Sequence, residues 1–397
     1  MIGQALARRG FQPWALSTRR VPVRALHGSS PSLHRVVVSG IQPTGVPHLG
    51  NYLGALRSWV DLQNQAEKDD QFFFFIASLH AVTVPQKPAQ LYTDRRNLLA
   101  ALIAIGLDPH RCTVFLQDQV PEHTELGWYF MCIAPFGRLE RMTTWKSKIA
   151  TLHHAGSMEA VNESQLQLGL FSYPVLQAAD ILMYNATHVP VGEDQTQHLE
   201  LTRDLAHQFN RLVKKKCFRL PEQMFTEFKR ILSLRQPDQK MSKSAPDANS
   251  RILLTDTPEQ IRAKIKKAVT DSDPSLGFDP MHRPAVSNLL QILAGLRGNT
   301  LKKDLLEGED EAQLQNPAFV AEVLNRLKGG SGAALKAALI DSIIEELRPI
   351  QMEYSRLVTE DGYLDSIEAL GRDKAREHAQ KTLQRVRSLL GYEPQRK

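Results

Sequence analysis

The chain has 397 residues, of which 42% are hydrophobic and 23% charged, and it carries a formal net charge of +6. This composition excludes wholesale disorder and collagen-like structure, and the length indicates two or three domains. The longest strongly apolar run, Phe72–Ala77, is too short to cross a bilayer, and three scattered cysteines without a CxxC pair exclude a disulfide framework and argue against structural zinc.

The first 34 residues differ in composition from the rest of the chain. They contain five arginines, no lysine and no acidic residue, and the first carboxylate is Asp61. Removing those arginines lowers the formal charge from +6 to +1, so most of the basicity belongs to this leader. Arginine, serine and small apolar residues without a continuous apolar core predict a mitochondrial presequence over 1–34 and import into the matrix. A disordered basic arm or a chloroplast leader is the alternative.

Strands and helices alternate through the first half of the chain. Apolar runs predict strands at His34–Ser39, Gln71–Ala77, Cys112–Leu116 and His188–Val191. Helices are predicted from Leu49 onward, over 90–105, from the third strand to about 150, over 173–184 behind a Tyr-Pro start, and over 193–209. Residues 151–172 lack a regular pattern and are predicted to be a surface insertion. The alternation predicts an α/β fold with a Rossmann-like, doubly wound parallel sheet.

Beyond Pro258 the pattern changes to helices without strands. Helical periods cover 258–269, 284–295, 316–327, 333–348 and 364–391. We therefore predict a presequence over 1–34, a Rossmann-like catalytic domain over 35–255, and an all-helical domain over 256–397.

A glycine-rich segment follows the first predicted strand and opens the first helix. It runs from Ser39 to Gly54 and contains His48. Glycine lets a backbone approach a purine or phosphate closely, and a helix start offers free N–H groups to anions. A nucleotide site is therefore predicted, and the structural alternative is a tight strand-to-helix turn with a capping histidine. Neither a Walker A motif nor GxGxxG is present, which disfavours generic NTPase and dinucleotide sites.

A second segment, Lys240–Ser244 (KMSKS), lies on a polar loop late in the predicted α/β domain. Two lysines flanked by hydroxyl groups make a mobile cationic clamp suited to the charge on a leaving pyrophosphate. Taken alone, such a pair of lysines is also typical of a solvated surface loop.

Together the two segments resemble the signatures of class I aminoacyl-tRNA synthetases. PTGVPHLGN (43–51) resembles their "HIGH" sequence, with Asn51 as its fourth letter, and KMSKS matches the second signature letter for letter. SGIQPTG, AADILMY and GEDQTQHLELTRDLA (192–206) are similar to tryptophanyl-tRNA synthetases, and the resemblance runs from about residue 35 to the C-terminus. Tyrosyl enzymes share the architecture but usually carry Gly-Gly-x-Asp-Gln at 192–195. The leader favours the mitochondrial form.

The resemblance implies an ATP site in which His48, Lys240 and Lys243 are the catalytic residues. The residues implied to bind ATP are Gln42, Pro43, Thr44, Gly50, Asn51, Gly192, Glu193, Asp194, Ile231, Lys240, Met241, Ser242, Lys243 and Ser244. The reaction would be in-line attack of the tryptophan carboxylate on the α-phosphorus, in which catalysis is mostly positioning and charge stabilisation.

The resemblance also implies a tryptophan pocket. Asp180 would accept the indole N–H, and Tyr173 and Gln195 would receive the ammonium group; the alternative is that Asp180 caps a buried turn. The remaining implied pocket residues are Gly40, His80, Gln177, Val189 and Val191. Gln177 replaces a residue that is often methionine in the family.

The implied function is a tryptophan–tRNA ligase of the mitochondrion. It would form tryptophanyl-adenylate from L-tryptophan and ATP, release pyrophosphate, and transfer tryptophan to the 2′-hydroxyl of the terminal adenosine of tRNA(Trp). Mg²⁺ is expected with ATP, although no dedicated carboxylate site for a metal is visible in the sequence. The resemblance implies a homodimer, and neither a membrane nor DNA is expected as a partner.

The helices of 256–397 would read the anticodon. Basic residues between Arg372 and Arg387 form a plausible RNA face, and a solvated helix surface explains them equally well. Three other functions remain open: a non-catalytic RNA-binding protein on a synthetase fold, a tyrosine–tRNA ligase, and a nucleotidyltransferase with a similar histidine-containing loop.

Overall fold

The structure is a computed structural model that describes 34–143, 145–146, 166–192, 195–224, 230–243, 245–273, 275–296, 316–328 and 330–394. The predicted presequence, apart from His34, lies outside the described residues. So do most of the predicted insertion and three of the implied ATP-binding residues, Glu193, Asp194 and Ser244.

The centre of the fold is a five-stranded parallel sheet. Its strands are β1 (Val36–Ile41), β2 (Gln71–Ile76), β3 (Thr113–Leu116), β4 (His188–Pro190) and β5 (Glu222–Met224), in the order β3-β2-β1-β4-β5. The four predicted strands and the doubly wound fold are confirmed. Strand β5 was not predicted, because its sequence, Glu-Gln-Met, has no apolar run and its pairing with β4 is what makes it a strand.

Each central strand buries side chains on both faces of the sheet, which explains its continuous apolar sequence. In β2, Phe72 and Phe74 belong to one apolar core, whereas Phe73 and Phe75 belong to the core on the opposite face. The register pairs Val36 with Gln71 and Ile41 with Ile76, so β1 and β2 end together.

Helices cover both faces of this sheet. A first helical segment comprises α1 (Leu49–Asn51), a π-helical turn (Tyr52–Leu56) and α2 (Arg57–Asn64). Next along the chain are α3 (Ser78–Ala81), α4 (Pro88–Ala104), α5 (Glu122–Met131), α6 (Phe136–Glu140), α7 (Leu168–Met183) and α8 (Thr196–Leu212).

Helix α7 begins five residues before the predicted Tyr-Pro start, and that prediction was wrong. Pro174 lies inside the helix, where it lacks an N–H donor and crowds the preceding turn. Leu170 and Phe171 in that preceding turn are buried in the core. Their burial stabilises the extra turn despite the missing hydrogen bond, since helices in proteins depend mainly on packing.

The C-terminal helices are α9 (Pro258–Lys266), α10 (Pro284–Gly295), α11 (Pro317–Lys328), α12 (Gly332–Thr359) and α13 (Asp361–Leu390). They confirm the predicted helices, and α12 extends eleven residues beyond its predicted end through Pro349. None of the helices in the described ranges is long and apolar enough to cross a membrane.

Helix α13 crosses the edge of the sheet at Gly371. Leu364 before it belongs to one apolar core, and Ala375 after it belongs to the core on the other face. A methyl group at Gly371 would overlap the carbonyl oxygen of Val114 in β3. Glycine is therefore required for this helix to touch the backbone of an edge strand.

The basic residues of α13 are engaged within the protein. Arg387 forms a two-nitrogen contact with Glu125 of α5, and Arg376 contacts Glu122 of the same helix. The other four have these partners: Lys374 with the Pro109 carbonyl, Arg385 with the Lys216 carbonyl, Arg372 with Asp373, and Lys381 with Glu377. Much of the charge that suggested an RNA face thus fastens the helix to the α/β core.

Candidate active site

The loops after β1 and β4 leave the sheet at its switch point. β1 and β4 are neighbours, and from them the sheet continues to β2 on one side and to β5 on the other. In such sheets ligands bind at the carboxyl ends of the strands on either side of this point. Gln42–Thr44 follow β1 here, and Gly192 lies just beyond β4.

His48 caps the helix that follows the first loop. Its Nδ1 accepts the Asn51 N–H at 3.1 Å, and the Asn51 side chain accepts the His48 N–H at 3.2 Å. This is the capping arrangement that the structural alternative required. Since Nδ1 is the acceptor, a neutral His48 ring carries its hydrogen on Nε2 and keeps one donor for a ligand.

Burial and the neighbouring positive charges keep the His48 ring neutral. Burial, followed by the positive charges of Lys243, Lys240 and Arg251, lowers the pKa of His48 from 6.5 to about 3. His48 is 4% exposed, and a Cβ on Gly50 would lie 3.1 Å from its ring. At physiological pH the His48 ring is therefore neutral and carries its hydrogen on Nε2.

The two signature segments are adjacent in space. The Leu49 N–H donates to the Ile252 carbonyl at 2.8 Å, and the Leu254 N–H donates to the Pro47 carbonyl at 3.0 Å. These antiparallel contacts hold the strand-to-helix loop against the segment that follows KMSKS.

Lys243 of the second signature reaches directly into the first. Its Nζ donates to the carbonyls of Thr44 at 2.9 Å and Gly45 at 2.7 Å, and lies 3.2 Å from the Thr44 hydroxyl. Burial lowers the pKa of Lys243 from 10.5 to about 8; the nearby Asp94 opposes this shift, and Arg251 adds to it.

The base of the KMSKS loop is anchored in the core. Met241 is buried, and its N–H donates to the Ile231 carbonyl at 3.0 Å. Leu232 bridges to Lys240, and both backbone groups of Leu232 bond to the side-chain amide of Asn288 on α10. The base of the loop is therefore anchored in the core, whereas Lys240 itself is exposed to solvent.

A second set of predicted residues shares one face of α7. Tyr173, Gln177 and Asp180 stand at positions i, i+4 and i+7, which fall on the same side of a helix. The Gln177 amide donates to the Gln195 side chain at 3.3 Å. The Tyr173 ring meets the ring of His80 edge-on at 6.1 Å.

His198 was missed by the sequence interpretation. Its Nδ1 lies 2.8 Å from the Gln195 side-chain oxygen, and its Nε2 lies 3.2 Å from the Tyr173 hydroxyl. It thus joins two residues predicted to receive the ammonium group. It lies within the quoted segment of 192–206, but nothing in its spacing distinguished it from a core residue.

Asp180 is fully buried and receives four short contacts. His123 Nδ1 lies 2.6 Å from Oδ1, His80 Nε2 lies 2.7 Å from Oδ2, and Gln117 Nε2 lies 2.7 and 2.8 Å from the two oxygens. Burial raises the pKa of Asp180, but hydrogen bonds from His123 and His80 outweigh it and hold the pKa below its usual value. The carboxylate is ionised at neutral pH.

The remaining predicted pocket residues lie on the central strands. Gly40 of β1 faces the Phe75 ring so closely that a Cβ there would overlap it. Val189 of β4 is buried, and Val191 packs at the edge of the same core. The Ser39 hydroxyl donates to the Pro190 carbonyl at 3.0 Å, joining β1 to β4.

No group of three or more His, Cys, Asp or Glu side chains suited to a metal ion occurs within the described ranges. His153 and His154 lie outside those ranges.

Comparisons with known proteins agree with this geometry. The model of the family "tRNA synthetases class I (W and Y)" matches residues 33–344. The mitochondrial tryptophan–tRNA ligase of Saccharomyces cerevisiae is 40% identical over 98% of this chain and 99% of its own length. The mitochondrial tryptophan–tRNA ligase of Schizosaccharomyces pombe is 40% identical over 90% of this chain and 96% of its own length. The crystal structure of tryptophanyl-tRNA synthetase from Mycoplasma pneumoniae superposes with a TM-score of 0.77 at 34% identity, covering 90% of this chain and 98% of that one.

A family match over most of the chain coincides with two signature loops meeting at the switch point of a parallel sheet. The chain therefore belongs to the class I tRNA synthetases for tryptophan and tyrosine, and within them to the tryptophan–tRNA ligases.

Proposed function

We propose that this chain joins tryptophan to tRNA(Trp) in the mitochondrial matrix. The tryptophan carboxylate attacks the α-phosphorus of ATP, and pyrophosphate leaves. The 2′-hydroxyl of the terminal adenosine then attacks the adenylate carbonyl, and AMP leaves. The observation that carries this proposal is the contact of Lys243 with the carbonyls of Thr44 and Gly45, because it brings the two signatures together across 198 residues.

ATP would lie across the carboxyl ends of β1 and β4. The Gly-rich loop and α1 would receive its phosphates through backbone N–H groups and the neutral His48 ring. Lys240 and Lys243 would neutralise the charge that grows on the leaving pyrophosphate. The other proposed ATP contacts are Gln42, Pro43, Thr44, Gly50, Asn51, Gly192, Glu193, Asp194, Ile231, Met241, Ser242 and Ser244.

Mg²⁺ would enter as a complex with ATP. It commonly keeps its waters and binds substrate phosphates rather than a protein cage. The absence of a three-ligand cluster in the described part of the chain is compatible with that mode.

Tryptophan would lie beside the face of α7, with its indole N–H directed at Asp180 and its ammonium group at Tyr173 and Gln195. Gly40, His80, Gln177, Val189 and Val191 would line the pocket. A buried acceptor that phenylalanine leaves unpaired discriminates strongly between the two amino acids. The ionised state of Asp180 supports this assignment.

The helices of 256–397 would form the anticodon-binding domain. Since Lys374, Arg376, Arg385 and Arg387 of α13 bind groups of the α/β core, RNA contacts are expected at other positions of these helices. We also propose the homodimer: Trp128, Phe136 and Leu168 are 63%, 68% and 78% exposed on α5, α6 and α7, which pack together. Large apolar side chains exposed on neighbouring helices favour a protein partner.

The test is pyrophosphate–ATP exchange by the full chain with tryptophan, tyrosine or phenylalanine. Exchange with tryptophan is expected, and a second assay with tRNA(Trp) should show aminoacylation. Exchange with tyrosine would contradict the pocket assignment and leave the ATP site standing. A folded sample that exchanges with none of them would favour the non-catalytic RNA-binding alternative.

A further inference from the structure

The three partners of Asp180 differ in how deeply they are buried. Gln117 and His123 are 0% exposed, whereas His80 is 7% exposed and its ring meets Tyr173 of the proposed tryptophan pocket. Gln117 is also held at its other end, because its oxygen accepts the Leu79 N–H at 3.0 Å.

His123 is fixed at both ring nitrogens. Its Nδ1 contacts Asp180, and its Nε2 lies 2.8 Å from the Tyr184 hydroxyl. With the hydrogen on Nδ1 donated to the carboxylate, Nε2 accepts from Tyr184. The Tyr184 ring is in turn stacked on Phe73 with centroids 4.2 Å apart. A flip of the imidazole would break both hydrogen bonds inside a closed apolar core.

Asp180 has little capacity left for another donor. A carboxylate offers about four acceptor directions, and contacts from three side chains, one of them shared between both oxygens, already surround Asp180. An incoming indole N–H therefore competes with these contacts for a carboxylate oxygen. Among the three partners, His80 is the one that borders the proposed pocket, and it stands on a helix of only four residues.

We propose that His123 is a positioning residue for tryptophan selection, which holds Asp180 in one orientation while the indole N–H replaces His80 at Oδ2. This inference rests on the proposed function of Asp180. In this proposal Gln117 and His123 are the fixed partners of Asp180, and His80 is the partner that tryptophan replaces.

The main test compares His123→Leu with His123→Asn in the full chain. Leucine removes the donor to Asp180, and the Asn side-chain nitrogen occupies the place of Nδ1. We expect His123→Leu to raise the KM for tryptophan by about tenfold to a hundredfold, the usual effect of losing a hydrogen bond to a charged group. The kcat and the KM for ATP should change little, and His123→Asn should recover most of the loss.

A double-mutant cycle with Asp180→Ala checks that the effect passes through Asp180. In that background the leucine substitution should add little to the KM for tryptophan, since no acceptor remains to be oriented. An equal rise in both backgrounds, or an unchanged KM for tryptophan in the single variant, would overturn the proposal.

Two further measurements test the proposal even if the His123→Leu variant does not fold. Tyr184→Phe keeps the stacked ring, removes the hydroxyl, and should raise the KM for tryptophan about twofold to tenfold; an unchanged value would overturn the proposal. In nitrogen-15 spectra of the wild-type chain, tryptophan should shift the His80 Nε2 signal and leave the His123 Nδ1 signal in place. A shift of the His123 Nδ1 signal without a shift of the His80 Nε2 signal would refute the proposal. If the proposed function itself were wrong, the wild-type chain would show no tryptophan-dependent pyrophosphate exchange, which distinguishes that outcome from failure of the His123 proposal.

Discussion

The lowered pKa of Lys243 predicts that the protein takes up a proton when ATP binds. Burial lowers the pKa of the free enzyme's Lys243 to about 8, so about half of these side chains are neutral at pH 8 and about nine tenths at pH 9. Nearby phosphates would restore the charged form and return the pKa toward 10.5. Binding should therefore take up about 0.5 proton at pH 8 and about 0.9 at pH 9, falling to about 0.1 at pH 7.

The assay is titration calorimetry with MgATP at each pH, in buffers of different ionisation enthalpy. The slope of observed enthalpy against buffer enthalpy gives the number of protons. His48 does not contribute in this range, because its pKa of about 3 lies far below it.

Two variants separate this effect from other titrating groups. Lys243→Met should bind ATP more weakly and without the uptake at pH 9. Lys243→Arg should stay charged throughout and also bind without uptake, while retaining more affinity. Uptake that persists in Lys243→Met, or that is absent from the wild-type chain at pH 9, would refute the reasoning.

Three other changes have defined outcomes. Asp180→Ala should relax discrimination against phenylalanine by at least tenfold, measured as the ratio of kcat/KM in pyrophosphate exchange, and an unchanged ratio would exclude Asp180 as the indole acceptor. His48→Ala should lower the free energy of unfolding by about 1 kcal/mol in urea through loss of the helix cap. The folded-state pKa of His48 is lowered, so its contribution to wild-type stability is present above pH 6.5 and is lost as the pH falls toward about 3; His48→Ala should show a weaker dependence in that window. Gly371→Ala should cost about 1–3 kcal/mol, because its methyl group overlaps the Val114 carbonyl, whereas Gly362→Ala in the same helix meets no atom within 4 Å and should be tolerated.

The amino-acid sequence determined the parts whose signal is local. Continuous apolar runs such as 71–77 predicted the buried strands, because a strand covered on both faces must be apolar at every position. The two signature segments were found by their letters alone. Their chemistry, glycines at a helix start and paired lysines on a loop, was also readable from residue type.

The tertiary structure decided what depends on contacts between distant residues. Strand β5 exists because it pairs with β4, and α7 starts at Leu168 because its first turn is buried. In the sequence the basic residues of α13 fitted an RNA face and a solvated helix surface equally well, but Lys374, Arg376, Arg385 and Arg387 bind carboxylates and carbonyls of the α/β core. Their partners are more than 100 residues away, beyond the reach of any local pattern.

Contacts between residues distant in the sequence also explain which residues of the site were found and which were missed. Asp180 was recognised from its segment, but the side chains whose hydrogen bonds keep it ionised, His123 and His80, lie 57 and 100 residues earlier on other elements. Sequence identifies a carboxylate by its residue type. Its orientation and protonation state depend on which donors the fold buries beside it, and only the packing of α5 against α7 supplies His123.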